Sequence, residues 1–550
     1  MNKLLQKDFS SNQVRLDISR STFHLDTDFL GTANAGKLNV CYFEEVLPGD
    51  TFNVNASVLA RMMTPIHPVM SSAYLSLEFF FVPWRLVWEH FEEFLGVNKD
   101  TFWAQSTTYV MPYLTAPNGG WQKGTLADQF GIPIGVGGIK VNALPFRAYG
   151  LIYNYFWRNK NLMTPIGVNV DDTNRIGSNG SNYITDCQLG GMPANACKLA
   201  DAYTRALPAP QKGPAVSLPL GISAPVGTQS TPHNFGTDNS LFWTAIGSGN
   251  ITHGLTNFLL EGDAVQNKAY SRQGSQTVTD SGAVGIRPTN LFADLSNATA
   301  STVNQLRLSF ATQRILEAQA RAGCSYQELL HGLFSVDAGD ARLQMPEFLG
   351  GAKIDIAMNQ VLQTSSTDSV SPQGNTAAYS QTVSAAPHFA KSFVEHGCVI
   401  GVYTIRNENL YQQGIPRFFQ KRGRYDLYWP QLANIGEVGI RNDSIYAQGT
   451  SADDGIFGYQ EAWWEYRKHP NQVTGEFRST YATPLDSWHY GDDYASLPTL
   501  GSTFVQASSQ NIARTLAVQN QDQFLVNIKF YNRATRPMPL YSTPGLIDHH

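Results

Sequence analysis

The sequence predicts a mainly β protein: an antiparallel β-sandwich with Greek-key or jelly-roll connectivity, carrying large helical and loop insertions. Three observations predict it. Alternating segments stand near both ends of the chain, Thr51 to Ala60 early and Phe524 to Tyr531 late, with helices and loops between them. Strands so far apart must pair across the chain, as the first and last strands of a Greek key do. A further strand, Tyr74 to Val82, is apolar on both faces, so both faces need cover. Finally, charged residues make up only 15% of the 550, beside 12% aromatics, 47 Gly and 28 Pro. Average soluble domains hold about 25% charged residues, so this is a turn-rich chain with little surface designed for water.

Residues 1–40 are polar and weakly basic (Lys3, Lys7, Arg15, Arg20) and read as an extended arm. Met1 to Lys7 has no apolar run, so no secretory signal is expected. Pro48-Gly49-Asp50 is a turn, because Pro presets φ and Gly accepts φ > 0. In the strand that follows, Phe52, Val54, Ala56 and Val58 share one face. Pro65 and Pro68 break the chain before Tyr74 to Val82, where Leu75, Leu77, Phe79 and Phe81 oppose Phe80 and Val82. Pro83 then opens an expected helix with Trp84, Val87, Trp88, Phe91, Phe94 and Leu95 on one side, closed by Gly96.

The glycines of 131–138 match neither GxxxxGK[ST] nor GxGxxG, so that stretch reads as a loop. Pro145 to Leu162 has helical spacing through Phe146, Tyr149, Ile152, Tyr153, Phe156 and Trp157. Residues 163–300 turn polar and rich in Gly, Ser, Asn and Thr, the composition of an elaborated surface insertion. Helix returns at 301–323, with Thr302 and Gln305 as a capping box, an apolar face of Leu306, Phe310 and Ile315, and Gly323 as the stop. Ser325 to Glu328 caps a short helix to Leu330, and His396 to Ile405 is a strand. No internal repeat stands out.

A net charge of −5 excludes a globally basic nucleic-acid coat. Nucleic acid would have to meet a local patch or a basic partner. Five cysteines (Cys41, Cys187, Cys197, Cys324, Cys398) match no CxxC pattern and read as reduced, cytoplasmic thiols with no metal cluster. No apolar run is long enough for a membrane span.

Catalytic patterns such as GxSxG and HExxH are absent. His90, Glu89 and Glu93 fall on the polar side of the expected helix and read as a solvated face. Asp453-Asp454 and Asp492-Asp493 sit beside Gly in polar loops and read as turn chemistry. The most suggestive stretch is Arg417 to Pro430, RFFQKRGRYDLYWP, in which cations alternate with aromatics. Such a pattern suits single-stranded nucleic acid, with charges on phosphates and rings on bases. It suits equally a strand pair or subunit contact in which Arg lies on aromatic faces. The candidate nucleic-acid-facing residues are Arg417, Lys421, Arg422, Arg424, Tyr428 and Trp429; Arg533 and Arg536 form a weaker second patch.

From end to end, the chain also resembles a known family. The segments that carry the likeness include Glu44-Glu45-Val46-Leu47-Pro48-Gly49-Asp50-Thr51-Phe52, Phe79-Phe80-Phe81-Val82-Pro83 with Arg85-Leu86-Val87-Trp88, and Pro210-Gln211-Lys212-Gly213-Pro214. Further along come Asp340-Ala341-Arg342-Leu343-Gln344, Ser371-Pro372-Gln373-Gly374-Asn375 and Lys391-Ser392-Phe393-Val394-Glu395-His396-Gly397. Ile445-Tyr446-Ala447-Gln448-Gly449-Thr450, Arg536-Pro537-Met538-Pro539-Leu540-Tyr541 and Pro544-Gly545-Leu546-Ile547-Asp548-His549 complete them. The sequence resembles the major capsid proteins of the Microviridae, small single-stranded-DNA bacteriophages, and in particular the gokushovirus branch. The likeness is thin over 163–200 and 228–290.

The resemblance implies one domain over 1–550, an eight-stranded antiparallel jelly roll of viral capsid type. It implies self-assembly into an icosahedral shell of triangulation number one around circular single-stranded DNA. It also implies a surface protrusion from 228–290 used in host attachment, a small basic DNA-packaging protein and other virion proteins as partners, and a host receptor. Such a protein is a structural component of the virion, assembled in the host cytoplasm, with no cofactor, no enzyme activity and no membrane insertion. Two other readings stand beside it: a jelly-roll lectin or glycan hydrolase, and a minor spike protein that forms trimers without a shell.

Overall fold

The computed structural model describes residues 19–97, 108–214, 216, 303–322, 344–364, 373–374 and 376–541, residues 331 and 335, and short strand segments between 226 and 293. The chain divides into two compact units, Met1–Lys212 with Glu317–His550, and Gly213–Leu316.

The larger unit is mainly β, with antiparallel sheets. Its chief strands are β1 (Ser21–His24), β2 (Thr27–Ala33), β3 (Asn39–Val46), β4 (Thr51–Met62), β5 (Ala73–Pro83), β6 (Glu347–Asp355), β7 (Thr382–Ser392), β8 (Gly397–Asn407), β9 (Glu437–Arg441), β10 (Ile456–Glu461) and β11 (Phe524–Arg536). In one sheet, β1 and β2 pair with successive parts of β11, β11 pairs with β4, and β4 with β7. The other runs β6–β5–β8–β3. Early and late strands therefore pair, as the sequence implied: Val58 faces Ile528 and Phe52 faces Ala534.

Alternation sets which side each strand buries. Phe52, Val54, Ala56, Val58 and Ala60 of β4 join Phe524, Val526, Ile528 and Phe530 of β11 against Leu75, Leu77, Phe79 and Phe81 of β5. This is the layer between the sheets. The opposite face of β5 and β8 is also covered. Phe80, Val82, Cys398, Ile400 and Val402 pack in a second core with Trp88, Trp121, Phe146, Tyr149 and Tyr153. Helix α1 (Leu144–Ile152) supplies Phe146 and Tyr149 and continues as a wider turn through Tyr153–Trp157, which supplies Tyr153. Met163, Ile166, Cys187 and Tyr203 are buried in the same core.

Two expected helices differ from the outcome. The run after Pro83 is not one helix but two short turns, Trp84–Leu86 and Phe91–Phe94. Glu89 gives its N–H to the carbonyl of Val170 at 3.0 Å, so the helical ladder stops there. Trp84, Val87, Trp88 and Phe91 still reach the core, while Leu95 is exposed. The helix expected over 301–323 spans Val303–Ala322, yet Phe310 and Ile315 of its apolar face are 63% and 51% exposed. The short helix expected over 325–330 and the end at His549-His550 lie outside the described residues.

The unit Gly213–Leu316 contains small antiparallel pairings: Val226–Thr228 with Leu291–Ala293, Trp243–Ile246 with Gly285–Pro288, and Leu259–Asp263 with Lys268–Gln273. Among the described residues, no helix is long and apolar enough to cross a membrane.

Candidate nucleic-acid interface

The stretch 417–430 forms a surface lobe. Pro416, with φ −58, leads into the single turn of α2 (Arg417–Gln420). Gln420 is the buried anchor: its Nε2 donates to Asp443 Oδ1 at 2.8 Å, Ser444 Oγ at 2.9 Å and the Ile415 carbonyl at 3.2 Å. With Gln420 turned inward, Phe418 and Phe419 turn outward, 68% and 72% exposed.

The chain then folds over Asp426. Its Oδ2 accepts the N–H groups of Gly423 at 2.7 Å and Arg422 at 2.8 Å, which hold the carboxyl below its ordinary range. Trp429 donates from Nε1 to the Arg424 carbonyl at 3.0 Å. The Arg424 guanidinium lies 5.3 Å from the Trp429 ring centre and 5.9 Å from that of Tyr425. This places Arg on aromatic faces, one of the two arrangements the pattern allowed.

Lys421 has a different environment from its neighbours. Its Nζ is 2.8 Å from Glu465 Oε1, donates to the Tyr466 hydroxyl at 3.1 Å and lies 4.4 Å from the Tyr466 ring centre. Both charged side chains are well covered, 6% and 15% exposed. Burial works against the ammonium, but Glu465 and Tyr466 outweigh it and raise its pKa. Tyr428 closes this cluster edge-on to Trp463, with ring centres 5.4 Å apart. Trp463 holds a left-handed φ of 65° and donates from Nε1 to the Leu432 carbonyl.

All six candidate residues therefore share one lobe, but not one role. Arg422 is exposed and has no side-chain partner among the described residues. Among the described residues, the Arg424 side chain meets only rings. Arg417 donates to Gln420 Oε1 at 3.2 Å. Lys421 is neutralised by Glu465. Sequence reasoning missed Trp463, Glu465 and Tyr466, although Trp463-Trp464-Glu465-Tyr466-Arg467-Lys468 repeats the same interleaving of rings and charges.

The weaker patch divides. Arg536 is engaged by Glu44 at 2.7 Å and Asp50 at 3.4 Å. The Arg533 side chain has no ion-pair or hydrogen-bond partner among the described residues.

The carboxylate pairs are occupied structurally. Asp453 accepts the Gln448 and Gly449 N–H groups, Asp454 meets Arg441 at 2.7 Å, and Asp492 binds Lys198, Tyr494 and Asn511. His90 stacks on Tyr109 and lies 2.9 Å from Asp172, whose other oxygen accepts from Trp88. Among the described residues, no group of three or more His, Cys, Asp or Glu side chains could hold a metal ion.

Comparison with known proteins places this geometry in context. A family model described as "Capsid protein (F protein)" matches residues 12–546. The capsid protein VP1 of Spiroplasma virus 4 is 40% identical, over 96% of each chain. That of Bdellovibrio phage phiMH2K is 39% identical, over 96% of this chain and 95% of its own. That of Chlamydia phage 1 is 36% identical, over 96% of each.

Proposed function

The chain belongs to the phage capsid protein (F protein) family, and from that premise we propose that it is the major coat subunit of a small icosahedral virion that encloses circular single-stranded DNA. It is a structural protein of a family whose members build capsids and are not enzymes. The shell has triangulation number one. Each subunit offers unlike edges to its neighbours, and rotational closure gives a finite particle instead of a fibre.

Strand order is the observation that carries the proposal. Taking β2, β3, β4, β5, β6, β7, β8 and β11 as eight successive strands, one sheet reads first–eighth–third–sixth and the other second–seventh–fourth–fifth. That connectivity supports the eight-stranded jelly roll common in viral coats. The exposed aromatic residues Phe418, Phe419, Tyr425 and Tyr428 support burial against a neighbour or a genome, since water is a poor environment for a cluster of rings.

Within this reading, 163–300 is an insertion on the jelly-roll domain, whereas of the arm expected over 1–40, Ser21–His24 and Thr27–Ala33 are strands paired with β11. Residues 228–290 are the surface protrusion that meets a host receptor. The 417–429 lobe faces the interior, where Arg417, Arg422, Arg424, Tyr428 and Trp429 line the approach of the DNA, while Lys421 is taken up by Glu465. A small basic packaging protein supplies the positive charge that a subunit of net charge −5 lacks. Assembly takes place in the host cytoplasm.

Electron microscopy of the purified protein, with nuclease protection of any co-purifying DNA, tests the proposal. Closed particles of uniform size holding nuclease-resistant single strands are expected. Protein recovered only as monomers or trimers under all assembly conditions would sink it.

A further inference from the structure

A second polar site lies on the outward face of the sheet that contains β11. Register arranges its side chains in rows. His24 of β1, Arg533 of β11 and Asn53 of β4 are cross-strand neighbours in one row. In the next row, Tyr531 faces Asn55, and Asn55 faces His388 of β7. These residues point outward because the positions between them, Phe530, Asn532 and Ala534 on β11 and Val54 on β4, are buried. With Asp26 from the turn after β1, the rows line an open cavity of about 270 Å³ formed by His24, Asp26, Asn53, Asn55, Tyr531 and Arg533.

Most of this lining is not used by the protein itself. Among the described residues, Arg533 has no carboxylate partner, and the side chains of Asn53, Asn55 and His24 hydrogen-bond to nothing. Among the described residues, Asp26 is the one lining side chain with a hydrogen bond, its Oδ1 accepting the Asn532 N–H at 3.1 Å. By contrast Arg536, three residues on, is held by two carboxylates. Polar groups that converge on a concavity without partners are the ordinary mark of a ligand site.

We propose that this cavity holds one nucleotide of a single nucleic-acid strand. An unpaired guanidinium calls for an anion, and phosphate matches its fork of donors, with His24 beside it in the same row. The Tyr531 ring, 44% exposed, offers a stacking surface for the base. Lys529 stands 5.5 Å from that ring and adds positive charge next to it. The amides of Asn53 and Asn55 and the free oxygen of Asp26 supply the donors and acceptors that base edges require. A neutral sugar would use the amides and the ring but has no need of the guanidinium. The site is distinct from the 417–429 lobe, and it rests on the coat reading for its choice of nucleic acid.

The test uses the purified full-length chain and a fluorescein-labelled 12-nucleotide single-stranded DNA of mixed sequence, read by anisotropy over a salt series. The variants are R533Q and Y531L, both outward on the sheet, with thermal melts to confirm that each is folded. R533Q is expected to weaken binding about tenfold and to lower the slope of log affinity against log salt by roughly one. Y531L is expected to weaken binding about tenfold with the slope unchanged. Wild-type affinity and slope in both folded variants would overturn the site while leaving the coat reading intact. So would displacement of the DNA by a neutral hexose that R533Q still binds. Wild-type chain that binds no oligonucleotide overturns the site as well, and failure to form closed particles would separately overturn the coat reading.

Discussion

Arg536, at the far end of the last strand, reaches Asp50 in the turn between β3 and β4, its Nε 3.4 Å from Oδ2 of a carboxylate with no solvent exposure. The same guanidinium is 2.7 Å from Glu44 and donates to the Glu45 carbonyl. Asp50 in turn accepts the Leu47 N–H at 2.9 Å, and its backbone carbonyl accepts from Phe393 at the end of β7. One charge cluster therefore locks three chain segments together at one end of the sandwich.

Removing the cation alone should be costly. R536M leaves the Asp50 carboxylate buried without its partner, a change of about 3 kcal/mol or more in unfolding free energy. The double variant R536M/D50N should recover part of that loss, because Asp50 then carries no charge, while Glu44 still lacks its cation. Chemical denaturation of the two variants measures both. A single variant as stable as wild type would show that Arg536 does not compensate Asp50.

Acid should affect this cluster and the Asp522 site in opposite ways. Burial raises the pKa of Asp50, against the opposing pull of the Leu47 N–H and Arg536. A raised carboxyl binds its proton more tightly when folded. Its contribution is complete below the unfolded value of about 3.9 and is lost as pH rises through the folded value. Asp522 is the reverse. Burial pushes it up, but Lys123 at 2.9 Å, Thr32 and Asn34 outweigh that and lower it. Its contribution is present above about 3.9 and is lost as pH falls through the lowered folded value. D522N should therefore flatten the acid limb of a stability–pH curve, and D50N should flatten the decline on the neutral side of pH 4. Identical curves for wild type and both variants would refute these assignments.

Within the aromatic lobe, Lys421 and Arg422 should separate cleanly. K421M strands Glu465 beneath Trp463 and Tyr466, and should lower stability by about 2 kcal/mol with loss of particle yield. R422Q removes an exposed, unpartnered charge and should change stability by less than about 0.5 kcal/mol, while lowering the DNA packaged per particle. Comparing the absorbance ratio of purified particles with the yield of shells distinguishes them. Equal falls in DNA and shells for R422Q would make that residue architectural.

Close strand packing gives a steric prediction. A Cβ on Gly397 would lie 2.4 Å from the Val82 carbonyl and 2.6 Å from the Phe81 ring. G397A should destabilise the subunit by about 1–3 kcal/mol, read as a lower denaturation midpoint. A midpoint equal to wild type would mean that β8 and β5 have more room than their pairing allows.

Strands with clean alternation could be read directly. Thr51 to Ala60, Tyr74 to Val82 and Phe524 to Tyr531 lie within strands of the fold, and His396 to Ile405 does so from Gly397 onward. Others could not. β6 carries Gly350 and Gly351, β7 contains Pro387 and a register shift, and β2 turns Leu30 outward beside Phe29, so no period of two marks them. Of the helix expected after Pro83, Trp84, Val87, Trp88 and Phe91 are buried but Phe94 and Leu95 are exposed, and the backbone is not one helix, because the Val170 carbonyl competes for the Glu89 N–H. The lobe at 417–430 was visible as a pattern, but its internal division was not.

Periodicity, turn residues and low charge are properties of neighbouring residues, so the sequence alone determined the β class, the faces of the alternating strands and, through its resemblance, the capsid family. What meets what depends on register between strands hundreds of residues apart. That is why only the tertiary structure decided that Lys421 is matched by Glu465, that Arg536 is held by Asp50, and that Arg533, between His24 and Asn53, meets no carboxylate among the described residues. A charged side chain looks the same in a sequence whether or not it has a partner, and folding is what supplies or withholds one.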